Sequence, residues 1–142
     1  MTSVITRAIS VYKQEGAKTL FQRVLQNAYY KTMSARGRYS LTLNDLTVTF
    51  SAPTPTMVNR NRDRFKSEKL ELQDFISKIQ EDDVVYDIGA NTGLYTLFAA
   101  TVCPNGKVIA FEPYPTNLTL LKQDIDRNNL KNIDIKDVAL SD

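Results

Sequence analysis

The chain contains no histidine and no tryptophan, a single cysteine, and only five glycines in 142 residues. Without histidine, a His-based catalytic triad and imidazole metal sites are excluded. With Cys103 alone, no internal disulfide can form, which suits a reducing compartment. No apolar run approaches the length of a membrane span, and the N-terminus carries no apolar signal core. A cytoplasmic protein is therefore expected. No internal repeat and no low-complexity tract appear.

What remains is ordinary for one globular domain at most: 42% hydrophobic and 24% charged residues. The net charge of +2 hides an asymmetry. Met1 to Arg38 holds seven basic residues and one acid, whereas the rest of the chain is net acidic. Within that segment, Val4 to Met33 reads as a helix with Gly16 as its weak point. Ala17, Leu20, Phe21, Val24, Leu25, Ala28 and Tyr29 recur at spacings of three and four, forming one apolar stripe. Residues 1–38 are thus expected to be a basic amphipathic helical segment. It would pack on its own domain or on a protein partner, or lie peripherally on an anionic membrane.

Residues 39–66 read as a hairpin and linker. Tyr39–Leu43 and Leu46–Phe50 alternate in strand fashion around Asn44-Asp45. Ser51–Thr56, with two prolines, predicts an irregular linker. Arg60, Arg62 and Arg64 read as a solvated loop, since Asp63, Glu68 and Glu71 dilute them, and no nucleic-acid partner is expected. Ser67 is the predicted cap of the next helix, whose buried face is Leu72, Phe75, Ile76 and Ile79, with Asp74 and Lys78 paired on its surface.

Residues 67–142 alternate helix, strand, helix, strand, helix, strand, which is half of a doubly wound α/β sheet. Val84–Ile88 predicts a strand buried on both faces, followed by Gly89 and Gly93 and a helix from Leu94. Lys107–Phe111 predicts the next strand, ending at Glu112. A helix from Pro115 and a short strand at Ile133–Ile135 follow. A glycine turn between strand and helix is where a nucleotide-like ligand meets backbone N–H groups. The dinucleotide fingerprint is broken, because Asn91 and Leu94 stand where glycines would be needed. Asp87 would also repel a pyrophosphate. S-adenosylmethionine fits better: Asp87 could hold its ammonium, the helix N-terminus its carboxylate, and Glu112 two ribose hydroxyls. A purely structural role for the glycines, Asn91 and Glu112 stays open on these grounds.

Three blocks in order carry a family resemblance: Asp87-Ile88-Gly89-Ala90-Asn91-Thr92-Gly93, Gly106–Pro113, and Val138-Ala139-Leu140-Ser141-Asp142. Together they resemble FkbM-type S-adenosylmethionine-dependent methyltransferases, which implies a Rossmann-like class I methyltransferase sheet, incomplete at the C-terminus. The resemblance implies that Asp87, Gly89, Asn91 and Gly93 line the methionine and ribose end of the cofactor. Glu112 would hold the ribose, Pro113 would pack near the adenine, and Asp137 is a candidate for the adenine amino group. The implied acceptor is a hydroxyl of a sugar, glycan or small metabolite. Elements that orient an acceptor lie beyond a third strand in that family, so a truncated chain with the cofactor half and little turnover alone is expected. The second expectation is a catalytically inactive, membrane- or protein-attached module. Tyr95 and Thr96 read as packing residues, no catalytic residue is assigned, and no metal site is expected.

Overall fold

The computed structural model describes residues 4–140. Helix α1 (Val4–Ala35) is broken at Gly16, whose φ of 82° lies outside the helical region. Strands β1 (Arg38–Leu43) and β2 (Leu46–Ser51) pair antiparallel, with Leu43 opposite Leu46 across the expected two-residue turn. Asn44 supplies the positive φ that this turn needs.

The expected linker is instead the start of a helix. Thr54 is extended, its side chain accepts the N–H of Met57, and Pro55 occupies the first helical turn, where its missing N–H costs nothing. Helix α2 (Pro55–Ser67) therefore carries the arginines that had read as a loop. Ser67 closes α2, donating to Arg64 O, rather than capping α3 (Lys69–Ser77), whose N-cap is Glu68. Lys78 and Asp74 form the expected surface pair at 2.6 Å.

Strands β3 (Val84–Ile88), β4 (Lys107–Phe111) and β5 (Ile133–Lys136) form a parallel sheet in the order β3-β4-β5. Helices α4 (Leu94–Val102) and α5 (Pro115–Arg127) connect them. Gly106 starts β4 so close to Asp83 that a Cβ there would fall inside the backbone of that residue. Val85, Val108 and Ala110 point into the core, as alternation requires. The opposite face of β3 is not buried as the sequence suggested: Val84, Tyr86 and Ile88 are all exposed.

The hairpin shares a core with the sheet. Leu41, Leu43, Val48 and Phe50 join Leu97, Phe98 and Leu121 in one buried cluster. Polar bonds fix the seam. Ser51 N and Oγ donate to Asp124 Oδ1 at 2.8 and 2.6 Å. Asn128 exchanges two bonds with the backbone of Thr49, as a neighbouring strand would. By contrast, among the described residues α1 meets this body near its C-terminal end, through Tyr30 and Met33 and through Tyr29, whose ring lies 5.1 Å from the Arg62 guanidinium. Every residue from Phe21 to Tyr29 is exposed, so the apolar stripe is not buried against its own domain.

Candidate active site

The site lies at the carboxyl edge of the sheet, where β3 and β4 end side by side. Gly89 and Ala90 both donate to Phe111 O at 2.9 Å, which pins the turn to β4. Gly89 has a φ of 82°, and a Cβ built on it would meet nothing within 4 Å. The turn thus demands glycine for its conformation and presents open space above it. Gly93 differs. It is buried, with a φ of 89°, and a Cβ there would stand 2.6 Å from Leu121 Cδ1. Its smallness serves the packing of α5 against the turn, not room for a ligand.

Asp87 reaches a side chain in the first turn of α4. Its Oδ2 accepts the hydroxyl of Thr96 at 2.5 Å. A protein carboxylate thus stands at the first turn of α4, where a ligand carboxylate is expected. Burial raises the pKa of Asp87, against the lowering effect of the Thr96 bonds and of Arg64. Thr96, read as packing, is the residue that orients this acid.

Glu112 is 5% exposed and binds the turn directly. Its Oε2 accepts Asn91 N at 2.7 Å, and its Oε1 accepts Tyr114 N at 2.9 Å and Asn117 Nδ2 at 3.2 Å. Each carboxylate oxygen takes about two hydrogen bonds, so Oε2 retains an acceptor position while Oε1 is filled. Glu112 therefore ties the glycine turn to the start of α5 and can serve one further donor without rearrangement. Asn91 holds a positive φ of 54°, and its side chain accepts Thr92 N at 2.8 Å.

Arg60, Asn61 and Arg64 of α2, with Glu68 and Asn91, line an open cavity of about 390 Å³ next to the turn. Arg64 pairs with Glu68 at 2.9 Å. Arg60 and Arg64, with Arg62 between them, read as a solvated loop in the sequence but lie on α2. Thr54-Pro55 was the available signal, because a capping hydroxyl followed by proline marks a helix start and fixes Arg60, Arg64 and Glu68 on one side at spacings of four. Tyr95 stands near the same group, its pKa raised by burial and by Glu68.

The remaining predicted residues lie further out. Pro113 is exposed between Glu112 and α5, and Asp137 is exposed just after β5 with no hydrogen bond among the described residues. Ser141 and Asp142 of the third sequence block lie outside the described residues. The structure thus gathers Asp87, Gly89, Asn91, Gly93 and Glu112 at one edge, and Asp137 follows Lys136, whose carbonyl accepts Glu112 N at 3.1 Å.

No family model matches the chain. A stretch of 53 residues, 37% of the chain, is 38% identical to the 31-O-demethyl-FK506 methyltransferase FkbM of Streptomyces tacrolimicus. Another of 89 residues, 60% of the chain, is 28% identical to the AMB antimetabolite synthetase AmbE of Pseudomonas aeruginosa. These matches span 20% and 4% of the relatives' own lengths. Among solved structures, M. jannaschii TYW2, determined in complex with AdoMet, aligns with 70% of this chain and 42% of its own, at a TM-score of 0.51 and 18% identity. The chain shares with it a Rossmann-like α/β fold, with three parallel strands of such a sheet.

Proposed function

We propose that the chain is the cofactor-binding part of an S-adenosylmethionine-dependent methyltransferase of FkbM type. Its acceptor would be a hydroxyl of a sugar, a glycan or a small metabolite. The observation that carries this reading is the placement of Glu112. A buried carboxylate just after β4 grips the N–H of Asn91 and keeps one acceptor position on Oε2 at the glycine turn. With Oε1 filled by Tyr114 and Asn117, that position suits one ribose hydroxyl rather than the pair the sequence suggests. The local match to an FkbM methyltransferase supports the O-methylating version.

The residues present fit the cofactor, with one reassignment. Asp87 places a negative charge at the first turn of α4, which disfavours a second carboxylate there, so the amino acid carboxylate of S-adenosylmethionine needs another cation. Arg60 and Arg64 line the adjoining cavity and supply that charge. The free oxygen of Asp87 is left for the ammonium. When bound, the cofactor supplies a methyl group on a sulfonium sulfur, which is open to displacement by an oxygen nucleophile. This chain's residues bind and align, and alignment is where most of the rate of such a displacement originates.

Isothermal titration with S-adenosylhomocysteine tests the reading. The wild-type chain should give binding heat, and Glu112→Gln, which keeps the shape and loses the charge, should bind about ten-fold more weakly. A folded wild-type sample that gives no heat overturns the proposal.

A further inference from the structure

A second cleft opens between the end of α1, the hairpin and the end of α5. Its volume is about 750 Å³, and it is lined by Arg36, Arg38 and Arg127, with Tyr29 and Met33 on its helical wall. Neither Arg36 nor Arg38 meets a carboxylate among the described residues, and Arg127 reaches only Asp124, at 3.7 Å. Three guanidinium groups around one opening, with no acid to neutralise two of them, form a receptor for phosphate oxygens.

The helical wall of this cleft continues outward as an apolar row. Phe21, Leu25, Tyr29 and Met33 follow one another at spacings of four and so stand above each other on one side of α1. Phe21 is 64% exposed, Leu25 54% and Tyr29 40%. An apolar row that runs into an arginine cleft matches a medium in which phosphate borders hydrocarbon. A nucleic acid would engage the arginines but leave Phe21 and Leu25 in water. A second copy of the chain would bring one strongly basic segment against another.

We propose that α1 and the arginine cleft dock the protein on an anionic phospholipid bilayer. Headgroup phosphates occupy the cleft, and the row from Phe21 to Leu25 enters the boundary with the acyl chains. The helix lies along the surface and does not cross it, since no described helix is long and apolar enough to span a membrane. This docking is independent of whether the glycine turn binds a nucleoside.

Co-sedimentation of the full chain tests the proposal, with vesicles of phosphatidylcholine alone and of equal parts phosphatidylcholine and phosphatidylglycerol. Binding is expected only to the anionic vesicles and should weaken with added salt. The triple variant R36Q/R38Q/R127Q should lose about ten-fold or more in partitioning, and F21S/L25S should lose about as much. Circular dichroism confirms that both variants keep the fold, and their titration with S-adenosylhomocysteine should match the wild type. Equal partitioning onto neutral and anionic vesicles, none onto either, or full binding by the triple variant overturns the proposal. So does full binding by F21S/L25S together with displacement of the protein by a short nucleic acid duplex, which would assign the cleft to nucleic acid instead.

Discussion

The glycine-turn region and the α1 region hold their polar and apolar groups in opposite ways. Around the turn, the acids are occupied by the chain itself: Asp87 by Thr96, and Glu112 by Asn91, Tyr114 and Asn117. Along α1, apolar side chains stand in water and the arginines at its end meet no carboxylate among the described residues. Charges that are satisfied internally build a structure and preset its geometry. Charges and apolar groups left without partners are the ones still free to recognise something else.

The sharpest contrast is between two leucines. Leu97 is fully buried between the sheet and α5, so Leu97→Ala should cost about 2–5 kcal/mol in urea unfolding. Leu25→Ser should change stability by less than about 0.5 kcal/mol, because the residue is mostly exposed. A large loss at Leu25 would break the comparison by showing that α1 belongs to the core.

The two glycines sharpen it within the turn. Gly93→Ala combines a positive φ with overlap against Leu121 and should cost about 2–4 kcal/mol. Gly89→Ala meets only the conformational penalty, about 1–2 kcal/mol, and should instead weaken S-adenosylhomocysteine binding by filling the open side. Equal stability losses would mean that both sides of the turn are packed alike.

The smallest effect is a pH dependence. Burial pushes the pKa of Asp124 up to about 6 from an ordinary 3.8, although Ser51 and Arg127 pull it down. Between those values the folded chain holds a proton that the unfolded chain has released. Stability from this group is therefore fully present at the acid end and is lost as pH rises towards about 6 and beyond. Asp124→Asn, which can still accept from Ser51, should flatten that decline. Melting temperatures of both proteins from mildly acid to neutral pH will show it. An unchanged slope would mean that Asp124 does not set the dependence.

Much of this arrangement was legible in advance because it is local. The apolar β-branched run before Gly89, the turn at Asn44-Asp45, Pro115 at the head of α5 and the paired Asp74 and Lys78 each announce themselves within a few residues. The reading failed where a local signal had two meanings. Pro53 and Pro55 suggested a linker, yet a proline after a capping threonine starts a helix as readily as it breaks one. Ser67 had the right chemistry for a cap but lies one helix too early. The stripe on α1 was visible in the sequence, but periodicity records only that a face is apolar, not what covers it.

The sequence by itself determined the alternation of strands and helices, the glycine turn, and the acids at the ends of β3 and β4, since these follow from backbone preferences and short-range spacing. Only the tertiary structure decided which of those acids face the chain and which face open space. It put Thr96 on Asp87, brought Arg60 and Arg64 beside Asn91, and gathered Arg36, Arg38 and Arg127 around one cleft. Such partnerships join residues up to 91 positions apart in the numbering of the chain. A carboxylate or guanidinium gains its role from what lies within a few ångströms, and folding alone fixes that.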